Sequence, residues 1–156
     1  MTSPADETAW IDARAADVAA YLQRTGLDHG RVGDGPAWHV MPYASIWAVE
    51  SQHRPEWVGW WVISGDLPTD ALPAQGLDAP RDALRAIGKR WVNHAAALDG
   101  GEVPQAWRHL PDEALPKLTA QLRTRGEALV AWADADDAWP PAASADADGG
   151  AQQADD

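Results

Sequence analysis

His39, Ser64 and Asp66 are the side chains of this sequence whose types could do chemistry together. A neutral imidazole beside a carboxylate can take and return a proton, and a serine hydroxyl deprotonated by such an imidazole can act as a nucleophile. All three lie within residues 36–70, PAWHVMPYASIWAVESQHRPEWVGWWVISGDLPTD, a stretch that also holds five of the chain's ten tryptophans. Each also has a plainer role. Asp66 sits in Gly-Asp-Leu-Pro, where an aspartate bonds its own turn, and a histidine on a strand is usually satisfied within the fold. Ser64 lacks the Gly-x-Ser-x-Gly elbow, and no HExxH, Walker or Rossmann pattern occurs anywhere in the chain. The aromatic side chains suggest a binding surface. Trp38, Tyr43, Trp47 and Trp60 could line a groove, since tryptophan serves at interface hot spots and as a platform for rings or cations. In a chain without phenylalanine, however, tryptophan must also fill core volume, and a buried indole N–H needs an acceptor.

Two runs must position these residues. Residues 37–50 and 57–64 are rich in β-branched and aromatic side chains and flank the polar segment Ser51-Gln52-His53-Arg54-Pro55-Glu56, which predicts an antiparallel hairpin. With those six residues as the loop, Glu50 faces Trp57, Ala48 faces Gly59, Trp47 faces Trp60, Ile46 faces Trp61 and Ala44 faces Ile63. Side chains alternate, so Ser45, Trp47, Val49, Val58, Trp60 and Val62 share one face, and Ala44, Ile46, Ala48, Gly59, Trp61 and Ile63 the other. Small residues on the second face predict the closest helix approach there. The Trp47/Trp60 face is then covered by another helix layer or left as a groove. Pro42 cannot donate to a ladder and predicts an edge or a bulge. His39 and Tyr43 fall at the same end as Ser64 and Asp66. Glu50 and His53 fall at the other end, roughly 17–20 Å away, too far to share a metal with Asp66 and Asp70.

The run PAWHVMPYASIWAVES, followed by WVGWWVISGDLPTD and PRDALRAIGKRW, resembles an uncharacterised bacterial family, domain of unknown function 4826. The resemblance extends to about Trp139. It implies a small bacterial protein and carries no activity, cofactor or catalytic residue with it.

Composition narrows the partners. The net charge is −12, from 24 acidic and 12 basic residues, and seven of the acidic ones follow Ala133. The remaining body still carries 17 acidic against 12 basic residues. An acidic body without a basic stripe argues against nucleic acid and against anionic membranes, whereas it permits another protein as partner. Cysteine is absent, which rules out disulfides, a thiolate zinc site and a thiol nucleophile. The acidic start MTSPADETAW does not read as a signal peptide, and no apolar run approaches a membrane span, so the expected location is the cytoplasm. No cofactor or metal is expected.

Helices are predicted on either side of the hairpin. Ser3-Pro4 starts the first, in which Ile11, Ala15, Val18 and Leu22 repeat at helical spacing until Gly26. Asp78 caps the second, with Leu84, Ile87, Trp91, Ala95 and Leu98 as its stripe and Gly100-Gly101 as its end. The third starts at Asp112 or Leu115-Pro116 and turns Leu118, Leu122, Leu129 and Trp132 inward. Gly126 inside it predicts a close contact, since glycine costs a helix roughly 1 kcal/mol against alanine. His94 has no acidic or histidine neighbour at helical spacing and His109 lies in a connection, so both read as surface residues, and residues 67–77 read as a turn and connection. Residues 140–156, PPAASADADGGAQQADD, lack the apolar content to order and are expected to form a disordered acidic tail. The predicted architecture is a single α+β domain over residues 1–139, a small antiparallel sheet of two or three strands packed by three helices. For function, the expectation is a small non-enzymatic binding or protein-interaction module, an adaptor or an immunity-type protein; the alternative is a small hydrolase-like enzyme with its site at the start of the sheet.

Overall fold

The computed structural model describes residues 3–139; the expected tail lies outside them. The chain runs α1 (Pro4–Thr25), β1 (Trp38–Val40), β2 (Ala44–Glu50), β3 (Val58–Gly65), β4 (Leu67–Pro73), α2 (Pro80–Asp99) and α3 (Leu115–Asp134), with single 3-10 turns at Gln105–Trp107, Asp112–Ala114 and Asp136–Ala138. The strands form one antiparallel sheet in the order β1-β2-β3-β4. It is an α+β fold of three helices and four strands, where the sequence predicts two or three strands.

Both faces of the sheet are covered. Ile46, Trp61 and Ile63 pack with Leu84, Ile87, Trp91, Leu122 and Leu129 of α2 and α3. Trp47, Val49 and Val62 pack on the opposite face with Val18 and Leu22 of α1. The sheet is therefore the middle of three layers, and the Trp47/Trp60 face is floored by α1 instead of left open. Helix ends follow the sequence signals at α1. Ser3 caps it with a reciprocal Ser3–Asp6 capping box, and Gly26 closes it at φ 69°. At α2 the cap position is Ala79, and no side chain of the cap bonds the helix, so Asp78 does not have the predicted role.

α2 and α3 meet through glycine. A Cβ at Gly88 would lie 2.7 Å from the Gly126 carbonyl oxygen, and one at Gly126 would lie 2.9 Å from that of Gly88. The predicted close contact at Gly126 is thus a backbone crossing of two helices.

The hairpin differs from its predicted form in three ways. Residues 37–50 are not one strand: the chain reverses at Met41-Pro42-Tyr43, so that Trp38 pairs with Ile46 and His39 with Ser45. The β2–β3 register is Ile46 with Ile63 and Trp47 with Val62, two residues from the predicted pairing. One residue of the offset arises because Glu50 pairs with Val58 instead of Trp57, and the second because the ladder slips between Val49 and Glu50, leaving Gly59 as the extra residue of a bulge. An even offset keeps each side chain beyond the bulge on its predicted face. Val58, before the bulge, is the exception: it pairs with Glu50 and is 40% exposed. Gly59 is not the helix contact. A Cβ there would lie 2.7 Å from Ser51 Cα, within the hairpin's own backbone. The third difference is β4, predicted as connection. It pairs with β3 from Trp60–Pro73 to Gly65–Leu67.

Candidate functional site

The His39, Ser64 and Asp66 trio is dispersed. His39 faces α1, where its Nε2 lies 3.1 Å from Glu7 Oε2 and its ring beside Trp10. Ser64 is fully buried and donates to Asp17 Oδ2 at 2.7 Å; its carbonyl accepts from Ser45. Asp66 turns toward α3, where Arg125 donates to its carbonyl at 3.0 Å and to its carboxylate at 3.2 Å. α1 and α3 cover opposite faces of the sheet, so the partners of His39 and Asp66 hold the two side chains apart. The interaction that motivated the enzyme reading is not formed.

The aromatic candidates separate as well. Trp47 is 1% exposed and gives its indole N–H to Ser45 Oγ, which makes it a core residue and corrects its assignment to a surface. Trp38 stacks on Trp139 at 4.8 Å and, with half-exposed Tyr43, adjoins Trp132. Trp60 is half-buried, donates to the Asp28 carbonyl, and lines a cleft that the sequence did not reveal.

That cleft is one half of an open trough along β4, the edge strand of the sheet. The end toward the β3–β4 turn has a volume near 800 Å³, and Asp17, Tyr21, Arg24, Asp66, Trp107 and His109 are among its walls. The other end, near 550 Å³, lies between the C-terminal part of α1, β4, α2 and the 104–109 connection, and shares Tyr21, Arg24 and His109 with the first. Its apolar sides include Leu27, Trp60, Leu72 and Pro104; its polar side chains include Tyr21, Arg24, Arg90, His94, Gln105 and His109, with no aspartate or glutamate.

A buried network fixes this wall. Asp70, 1% exposed, accepts from Trp91 Nε1 at 2.9 Å and Arg90 Nε at 3.1 Å through one oxygen, and from the Ala71 N–H at 2.9 Å through the other. The ion pair draws Arg90 from α2 to the sheet edge. Trp107 anchors the 104–109 connection by donating its indole N–H to His94 Nδ1 at 2.8 Å. Neutral His94 therefore carries its own proton on Nε2. His94 is a half-buried partner of Trp107 and not the surface residue its sequence context predicts; His109 is exposed as predicted.

Three titrations are displaced. Burial, and then the Asp70 charge, push the Tyr21 hydroxyl up to about 12, so it remains a protonated donor. Burial lowers the basicity of His94, with the Arg90 charge acting in the same sense. Partial desolvation by the neighbouring walls also lowers that of His109, although the residue is exposed, and the Arg24 charge adds to it.

Sequence reasoning missed this trough because residues from α1, β3, β4, α2, the 104–109 connection and α3 build it together. The available hints were helical spacings: Tyr21 and Arg24 are three apart on α1, and Arg90 and His94 four apart on α2, so each pair shares a face. Among the described residues no group of three or more histidine, cysteine, aspartate or glutamate side chains is placed to hold a metal ion. None of the described helices is long and apolar enough to cross a membrane. A family model described as a domain of unknown function, DUF4826, matches residues 5–139. No curated protein and no solved structure matches the chain.

Proposed function

We propose that this chain, which belongs to the DUF4826 family, is a non-enzymatic protein-interaction module of the cytoplasm, adaptor or immunity-type, whose partner lays an extended segment in the trough along β4. The observation that carries this reading is the trough itself: an open concavity that follows an edge strand, with walls held by buried hydrogen bonds before any ligand arrives. A preformed wall lowers the ordering cost of association. An open channel beside a strand suits an extended chain better than an enclosed small molecule. The hydrolase alternative would need His39 to reach Ser64 and Asp66, and the partners of all three oppose that.

Selection of short random peptides displayed with free termini against the full chain tests the proposal. Binders should be recovered, and Gln105→Trp, at an exposed position in the trough wall, should abolish their binding without changing the melting temperature. Binding that survives Gln105→Trp would overturn it.

A further inference from the structure

We infer that the trough end between α1 and α2 is a carboxylate-binding subsite, in which the guanidinium groups of Arg24 and Arg90 hold a carboxylate of the bound molecule while its apolar part lies against Trp60, Leu72 and Leu27. The inference rests on the proposed function only for its carrier, a protein segment.

The charge balance of the cleft motivates it. In a chain with 24 acidic and 12 basic residues, this cleft is lined by two arginines, two histidines and no carboxylate. Arg24 forms no ion pair within 4.0 Å among the described residues. Its guanidinium lies over the Tyr21 ring, 5.2 Å from the centroid, a contact that orients the cation without neutralising it. Arg90 commits its Nε to Asp70 and remains one-third exposed, so nitrogens of its planar fork are left to face a ligand. Neighbouring polar groups complement an anion: the Tyr21 hydroxyl stays protonated, and His94, with Nδ1 engaged, offers N–H at Nε2. Because both histidines are harder to protonate than usual, the positive charge of the cleft near neutral pH comes from the arginines. The apolar wall opposite supplies a surface for the rest of the ligand.

The simplest probe is sodium benzoate, titrated into the full chain and followed by the Trp60 indole N–H signal, with benzamide as the neutral isostere. Saturable shifts with benzoate that are absent with benzamide, and lost in Arg24→Gln, are expected. Equal binding of benzamide, or an unaffected Arg24→Gln response, would overturn the inference. For a peptide recovered by display, two replacements distinguish the source of the carboxylate: amidation of its C-terminus, and conversion of its Asp and Glu residues to amides. One of the two should weaken binding about tenfold or more, the effect of a charge-assisted hydrogen bond. If neither does, the subsite is wrong while the interaction reading stands. If benzoate binds as expected and no displayed peptide is recovered, the subsite stands and the interaction reading fails.

Discussion

Asp70→Asn should cost the fold about 3 kcal/mol. In the wild-type chain both carboxylate oxygens of Asp70 accept hydrogen bonds, one from the Ala71 N–H and the other from both Arg90 Nε and Trp91 Nε1. An amide of the same shape has one accepting oxygen. In one orientation its NH2 opposes the Ala71 N–H; in the other it opposes two donors from α2. Either way a buried donor loses its partner and the Arg90 charge loses its counter-ion. Removing one member of a buried ion pair costs about 3–5 kcal/mol. Arg90 is one-third exposed, so water screens the orphaned cation and the lower end of that range applies. In a chain of this size such a loss lowers the melting temperature by about 6–12 °C. Urea unfolding followed by tryptophan fluorescence at neutral pH measures the free energy. Glu7→Gln, which breaks the exposed His39–Glu7 contact, should cost at most about 1 kcal/mol in the same assay. If Asp70→Asn were as mild as Glu7→Gln, the network would not be holding the wall of the trough.

Three further outcomes follow from packing and titration. Gly88→Ala gains about 1 kcal/mol of helix propensity but forces a Cβ to 2.7 Å from a backbone oxygen and 2.8 Å from Val130, so it should destabilise by about 1–3 kcal/mol by urea unfolding; a stabilised variant would show that α2 and α3 do not cross there. Gly59→Val should cost more than about 1 kcal/mol because of the Ser51 backbone, not a helix, and loss of the bulge should appear as altered amide exchange at Glu50 and Ser51. His94 binds a proton less readily in the folded chain than in the unfolded one. Its contribution to stability is therefore full above the ordinary histidine value of 6.5 and is lost as pH falls below that toward its lower folded value. A melting-temperature series from pH 7.5 to 5 should fall less steeply for His94→Gln than for wild type; parallel curves would contradict the burial argument.

The helices were legible because a 3.6-residue repeat of apolar side chains commits one face, and Ser3, Gly26 and Gly100 mark ends. The sheet faces were legible because alternation survives an even slip. Register was not, because nothing in Val58-Gly59-Trp60 distinguishes a paired glycine from a bulged one. Strand β4 escaped because Leu67-Pro68-Thr69-Asp70-Ala71-Leu72-Pro73 contains two prolines and a buried charge, which an edge strand tolerates and a propensity reading does not. The same omission hid the trough, since β4 is its floor. Asp70 was noticed as a carboxylate near the end of the hairpin, but its partners, Arg90 and Trp91, lie 20 and 21 residues further along the chain, where no local pattern points back to it.

The indole N–H spectrum of the full chain tests the central claim most directly, because ten tryptophans distribute reporters over the structure. Trp60 and Trp107 line the trough, Trp57 stands 60% exposed beside Arg54 at the hairpin loop, and Trp38, Trp132 and Trp139 cluster near β1. On addition of a peptide recovered by display, the Trp60 and Trp107 signals should shift saturably while those of Trp57, Trp38, Trp132 and Trp139 stay in place. Shifts at Trp57 or in the Trp38 cluster, with Trp60 and Trp107 unmoved, would contradict the account.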